Sequence, residues 1–213
     1  SIRKQVERWL HWGVGLKCSM KKLSTYLFLF LFSFSAPSFA DDISDFQIEG
    51  ISIGDSALEH FSEDKIKNNT MIDYYKDMKD FPFIAIEINE PTSLSTYTGI
   101  QFHVKKNDKK YKIYNINGFD FYDNDIQDCY KKQKEIDKKF SALFKDAKRR
   151  ETKFKLSADK SGKSITKQIY YTFKSGDGAV IACYDWSDEI TKTRNWTDNM
   201  EIALDKKEFK DAF

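Results

Sequence analysis

Four groupings of residues in this 213-residue chain have types that could do chemistry, and their spacing decides against most of them. Gly162-Lys163-Ser164 ends like a phosphate-cradling loop. That pattern needs a glycine where Ser157 stands, with a strand before it and a helix after, whereas strand-forming residues follow here. A polar hairpin loop from Ser157 to Gly162 accounts for the same residues. The acidic group Asp120, Asp123, Asp125 and Asp128 could supply the several oxygen ligands that calcium prefers. It lacks the glycine of the helix-loop-helix calcium pattern, and carboxylates ahead of a helix are favoured by capping and by the helix dipole with no ion present. His60 and His103 belong to no local metal-ligand or catalytic pattern. They could join a Ser-His-Asp constellation only through the fold, and no Gly-x-Ser-x-Gly nucleophile turn accompanies them.

The fourth grouping, Tyr184-Asp185-Trp186, joins large aromatic area to acceptors where a strand becomes a loop. Tyr and Trp bury much area at little entropic cost, so Tyr184, Asp185 and Trp186 are the candidate binding residues, suited to a carbohydrate or a peptide. A competing reading has Tyr184 and Trp186 filling the edge of the core while Asp185 caps a turn. Neither a metal nor a cofactor is implied.

The elements that must position these residues follow from periodicity. Ser56 with Glu59 fits a capping box, so one bent helix or two short ones are expected to Asn68, with Ser62 as a second cap. Strands are expected at Phe83–Ile88, Tyr97–Lys105 and Lys112–Ile116, an antiparallel meander, because Ile84, Ile86 and Ile88, then Ile100, Phe102 and Val104, alternate. A long helix is expected from about Asp125 to Arg149, opened by Asp123-Asn124-Asp125. Ile126, Cys129, Tyr130, Ile136, Phe140, Leu143, Phe144 and Ala147 keep a 3.6-residue period against a lysine-rich opposite side. Further strands are expected at Thr152–Leu156, Gln168–Phe173, Ala179–Trp186 and around Met200–Leu204, before a terminal helix from Lys206. The fold class expected is α+β: an antiparallel sheet with the long amphipathic helix packed on one face and short helices at the edges.

Residues 20–40 read as a secretory signal peptide: Lys21 and Lys22, an apolar run from Leu27 to Phe34, and small residues Ser38 and Ala40 before the cut. Residues 1–19 then read as an upstream extension, and 41–213 as one exported domain, periplasmic or secreted. That domain carries 29 basic against 32 acidic residues, a net of −3, which gives no broad reason to expect nucleic acid as partner. No cysteine stands where a lipid anchor would need one, so no membrane attachment is expected after cleavage. Cys18 falls before the leader, leaving Cys129 and Cys183 as an expected disulfide in an oxidising compartment. If it forms, Cys183 must lie on the sheet face that receives the long helix.

Phe46 through Leu58, Gly118-Phe119-Asp120 through Lys132, Ser161 through Ser164, and Ala182 through Ser187 together resemble a group of small exported proteins from marine alphaproteobacteria that carry no assigned activity. The resemblance implies one structural unit with paired cysteines. Gly50 to Phe61 is also similar to the helical opening of the module shared by outer-membrane assembly lipoproteins and secreted beta-lactamase inhibitors. The function expected is a non-catalytic binding or interaction module for a protein or envelope component. The alternative is an exported hydrolase with a site assembled from distant Asp, Ser and His residues.

Overall fold

A computed structural model describes residues 43–89, 94–122 and 125–213. The expected leader, the segment ahead of it, the expected first mature residue Asp41, and Asp123-Asn124 lie outside the described residues. The fold is α+β, built on an antiparallel sheet of eight strands in the order β1-β2-β3-β4-β8-β7-β6-β5. The strands are β1 (Thr70–Met71), β2 (Phe83–Ile88), β3 (Gly99–Lys105), β4 (Ile113–Phe121), β5 (Lys148–Lys155), β6 (Ile165–Thr172), β7 (Gly178–Asp185) and β8 (Asn199–Asp205). The meander β2-β3-β4 and the meander β5-β6-β7-β8 meet where β4 pairs with β8.

Near the start of the described chain, Ser56 caps only a 3-10 turn, Ala57–Glu59, by accepting from the Leu58 N–H. Its hydroxyl donates to the Lys110 carbonyl at 2.6 Å. The helix α1 (Glu63–Asn68) starts afresh with Ser62 accepting from the Lys65 N–H, so the two-piece form is the one adopted. A fixed point in this region is Glu49. Its carboxylate accepts from the N–H groups of Ser95, Thr96 and Tyr97 and from the Ser95 hydroxyl, at 2.6–3.0 Å. These bonds hold its pKa below the usual range against the opposing effect of burial.

The helix α2 (Ile126–Leu143) is shorter than its periodicity suggested. Asp125 caps it by accepting from the Asp128 N–H, but it closes at Phe144 rather than Arg149. Phe144 and Ala147 continued the apolar period by forming the turn out of the helix. Phe144 then packs edge-on against Phe46, Phe140, Tyr171 and Phe173, with ring centroids 4.6–5.5 Å apart. Lys148, Arg149 and Arg150 belong to β5, an edge strand paired only with β6. Charged residues on such an edge discourage pairing with another chain.

Side chains of α2 bond directly to the second meander. Cys129 forms the disulfide to Cys183 of β7, with Cα atoms 6.1 Å apart. Gln133 is buried and donates both amide hydrogens, to the carbonyls of Lys167 and Ile181, each at 2.9 Å. Asp137 accepts from Tyr171 of β6 and from Arg149 of β5. On this face the main core gathers Phe102, Ile116, Ile181, Cys183, Met200 and Leu204, all nearly or fully buried. Each large apolar side chain there contributes roughly 1.5–3 kcal/mol by leaving water. No helix among the described residues is long and apolar enough to cross a membrane.

Two short helices complete the chain. α3 (Asp188–Arg194) is capped by Ser187, which accepts from the Ile190 N–H, and α4 (Lys207–Lys210) carries the buried Phe209. Neither α3 nor the two-residue β1 gave a period long enough to be expected from sequence.

Candidate functional site

Alternation along the strands sends opposite chemistries to the two faces of the sheet. On β3, Ile100, Phe102 and Val104 face the main core while Gln101 and His103 face away; on β8, Met200, Ile202 and Leu204 are opposed by Glu201, Ala203 and Asp205. β4 departs from this rhythm. His103 pairs with Asn115 and Val104 with Ile113, so Tyr114 is an extra residue in a β-bulge. The bulge lets consecutive residues serve one face: Tyr114 packs on Phe83, and Asn115 lies beside His103.

Buried polar groups on interior strands need partners, and most find them in a chain across three strands. Nδ1 of His103 donates to Oδ1 of Asn115 at 2.5 Å, and the Asn115 amide donates to Asp205 at 2.5 Å and to Asn117 at 2.9 Å. With the amide hydrogens directed to Asp205 and Asn117, Asn115 can offer His103 only its oxygen, so the imidazole proton sits on Nδ1. Nε2 is left as a bare acceptor. It is buried and has no hydrogen-bond partner, a state shared among the described residues only with Oγ1 of Thr152.

The histidine forms part of the floor of a cleft of about 470 Å³. One wall is the turn segment after β1, where Tyr74 and Tyr75 bring their rings to 5.9 and 5.7 Å from His103. The other wall is α4, with Phe209 at 4.7 Å from the imidazole and Phe213 beyond it. A second cleft of about 810 Å³ shares Tyr74, Gln101, Asn117, Tyr184 and Glu201 with the first. It continues towards Trp186 and Trp196. Tyr184 stacks on Trp186 with rings 6.1 Å apart, and Trp186 meets Trp196 edge-on at 4.8 Å. The two clefts form one groove over the polar face.

The electrostatics follow from exclusion of water. Burial holds the His103 imidazole down at about 4, against the opposing pull of the Asn115 bond, so it is neutral at physiological pH. Burial pushes the carboxyl of Glu201 up to about 7 and that of Asp205 up to about 6. The Tyr74 phenol is pushed up to about 12 by the same cause, and that of Tyr184 is raised well above its ordinary value. Around His103 the groove floor therefore presents neutral hydroxyls and amides, with the carboxyls of Glu201 and Asp205 partly protonated.

Of the candidate binding residues, Tyr184 and Trp186 line the groove, while Asp185 does not. Asp185 pairs with Ile165 on the core side of the strand, where its carboxylate accepts from the Tyr130 hydroxyl of α2 at 3.4 Å. Trp186 is tied at two points, its backbone N–H donating to Asp198 at 2.8 Å and its indole N–H to Asn199 at 3.3 Å. His60 lies away from the groove, 3.3 Å from Asp55.

Asp120 is occupied in accepting from Thr98, and no group of three or more potential metal ligands converges among the described residues. Gly162-Lys163-Ser164 lies in the β5–β6 hairpin, organised by Asp159. That carboxylate accepts from the backbone and hydroxyl of Ser164, the Ser161 N–H and the Ser187 hydroxyl. The bonds from Ser164 lead in holding its pKa well below the carboxylate range.

Of the floor residues, sequence reasoning singled out only His103, as a histidine that the fold alone could bring to partners. Gln101, Glu201 and Asp205 stood at the polar positions of alternating strands, but their convergence on it needs the β3-β4-β8 pairing. Tyr74 and Tyr75 lie in a stretch with no period at all. Comparison with protein-family models, with curated proteins and with solved structures finds no match.

Proposed function

We propose that this is an exported, non-catalytic binding module. It takes its ligand in the groove on the polar face, while α2 covers the opposite face and the shorter helices lie at the margins. The observation that carries this reading is the floor of the aromatic-walled cleft at His103: its Nε2 is a buried acceptor without a partner, held in one tautomer beneath the rings of Tyr74, Tyr75 and Phe209. An unsatisfied buried acceptor costs about 1–3 kcal/mol, and a ligand donor would recover it. Export is supported by the leader read over residues 20–40 and by the disulfide.

Catalysis is the weaker reading. The groove lining contains no serine or cysteine among the described residues, so His103 has no nucleophile to activate. Its Nδ1 meets an amide oxygen, as in a Cys-His-Asn site, but the nucleophile that would complete one is missing from the lining.

Native mass spectrometry of the protein exposed to a small-molecule extract of its own cell envelope tests the binding reading. A retained mass that dissociates on unfolding and is lost in Tyr184→Ala is expected. An empty protein after that exposure, joined to turnover of a hydrolase substrate panel, would reverse it.

A further inference from the structure

The groove is elongated, and its length limits the ligand. Its two clefts meet above Glu201 and extend towards Asp205 at one end and Asn199 at the other, so it follows β8 for about 20 Å. The strands beneath it, β3, β4, β8, β7 and β6, are each paired on both sides. No backbone edge is open in the floor, which excludes an extended peptide adding itself as a strand there. Recognition must come from side chains.

Those side chains have a consistent character. The amides of Gln101, Asn117 and Gln168 and the phenols of Tyr170 and Tyr184 each both donate and accept. A hydroxyl matches such groups in either direction, whereas an ammonium only donates and a phosphate only accepts. Charges of both signs line the groove without a block of either: Lys210 with Glu201 and Asp205 in the first cleft, and Lys76 and Arg194 with Asp73, Asp77 and Glu87 in the second. The long stretch rich in lysine and arginine, residues 131–174, contributes none of its charged side chains to the lining. Aromatic faces recur along the track, with Tyr74 49% and Trp196 39% exposed and Tyr184 stacked on Trp186 between the clefts. Flat apolar faces alternating with two-way hydrogen-bonding groups suit a chain of sugar rings, whose C–H faces stack while their hydroxyls exchange hydrogen bonds.

We propose that the occupant of the groove is an uncharged linear glycan, lying along β8 with rings on Trp196, Trp186 and Tyr74 and one hydroxyl donating to Nε2 of His103, which it reaches by displacing one of the rings packed on the imidazole. This deepens the binding reading above and depends on it. The test is calorimetric titration of the full chain with cello-, malto- and chito-oligosaccharides of increasing length, with spermidine and a heparin fragment as charged comparators. One neutral series is expected to bind, tightening with each added unit until the groove is filled. Trp196→Ala, an exposed change that leaves the core intact, is expected to weaken it about tenfold. His103→Phe is expected to weaken it roughly 10- to 100-fold, since it removes the acceptor a sugar hydroxyl would use.

Failure of all three neutral series to bind folded protein would overturn the glycan assignment, as would glycan binding unmoved by both substitutions. Binding of spermidine or the heparin fragment alone, sensitive to Trp196→Ala, would also overturn it, while leaving the groove as the ligand site. An empty groove in the envelope-extract experiment would remove both readings.

Discussion

Val180 and Ile181 are neighbours on β7 that look in opposite directions, and the environments they meet differ in almost every physical respect. Ile181 joins the main core beside Cys183, on the face to which α2 is bonded by the disulfide and by Gln133. Val180 belongs to a small patch with Ala182 and Ala203, bordered by Tyr170 and Tyr184 and open to the groove. One face is apolar and cross-linked. The other is polar, with a hydrogen-bond chain that ends in an unused acceptor. On the binding reading proposed above, the difference separates stability from recognition: the strands are the same, but the apolar burial and the covalent link that hold them together are concentrated on one side.

If that separation is real, the largest loss of stability should follow from cutting the covalent link on the core face. The disulfide closes a loop with a sequence separation of 54 residues, worth about 4 kcal/mol in the chain-entropy model. Cys129→Ala with Cys183→Ala, followed by urea denaturation beside wild type with and without reductant, is expected to show that loss. Intact oxidised protein should weigh about 2 Da less than its reduced form, because two hydrogens leave when the bond forms. Ligand affinity measured under conditions where both proteins are folded should hardly change, since neither cysteine lines the groove.

The polar face has its own weak point in Asn115, which satisfies His103, Asp205 and Asn117 at once. Asn115→Ala leaves a buried imidazole N–H and a buried carboxyl without their partner, an expected loss of about 3 kcal/mol by urea denaturation. It also frees the imidazole to change tautomer. Imidazole nitrogen shifts in NMR should report a single Nδ1–H form in wild type and a mixture in the variant.

The two faces were not equally legible in the sequence. Alternation of Ile84, Ile86 and Ile88 and of Ile100, Phe102 and Val104 displays the core face directly, because apolar burial leaves a period-two trace. Tyr184 and Trp186 could be singled out because aromatic residues at a strand end are conspicuous alone. The polar face leaves no such trace. Its members are distributed over β3, β4, β6, β7 and β8, and the Tyr114 bulge breaks the alternation where Asn115 must be counted. The start of β5, four residues ahead of the expected Thr152, is hidden for a related reason. Its residues Lys148 to Lys155 are mostly exposed on both sides, so no apolar period marks where α2 stops.

Titration offers a smaller test of the same contrast, because Glu201 and His103 act in opposite senses on one face. The folded pKa of Glu201, about 7, is above its unfolded value of 4.5. Its contribution is fully present below about pH 4.5 and is lost as pH rises through 7. His103 is depressed from 6.5 to about 4. Its contribution is present above about pH 6.5 and is lost as pH falls through 4. Asp205, raised to about 6, acts in the same sense as Glu201. Glu201→Gln should therefore be more stable than wild type at pH 8 and equal to it near pH 4. The full shift would be worth roughly 3 kcal/mol, but Glu201 is half-buried, so a gain of about 1–2 kcal/mol is expected. Stability curves across pH that superimpose for the two proteins would show that this carboxyl is not desolvated.

The finest comparison makes one chemical change on each side. Valine and threonine have nearly the same shape, so Val→Thr adds a hydroxyl without opening a cavity. At Val104, fully buried in the main core, that hydroxyl loses water, and a loss of about 1–3 kcal/mol is expected. At Val180, 7% exposed and beside groove phenols, it can reach solvent or a neighbouring hydroxyl, and the loss should stay under about 0.5 kcal/mol. Equal losses at the two positions would mean that Val180 sits against a dry surface. The polar face would then be a second core, with no room for a ligand above it.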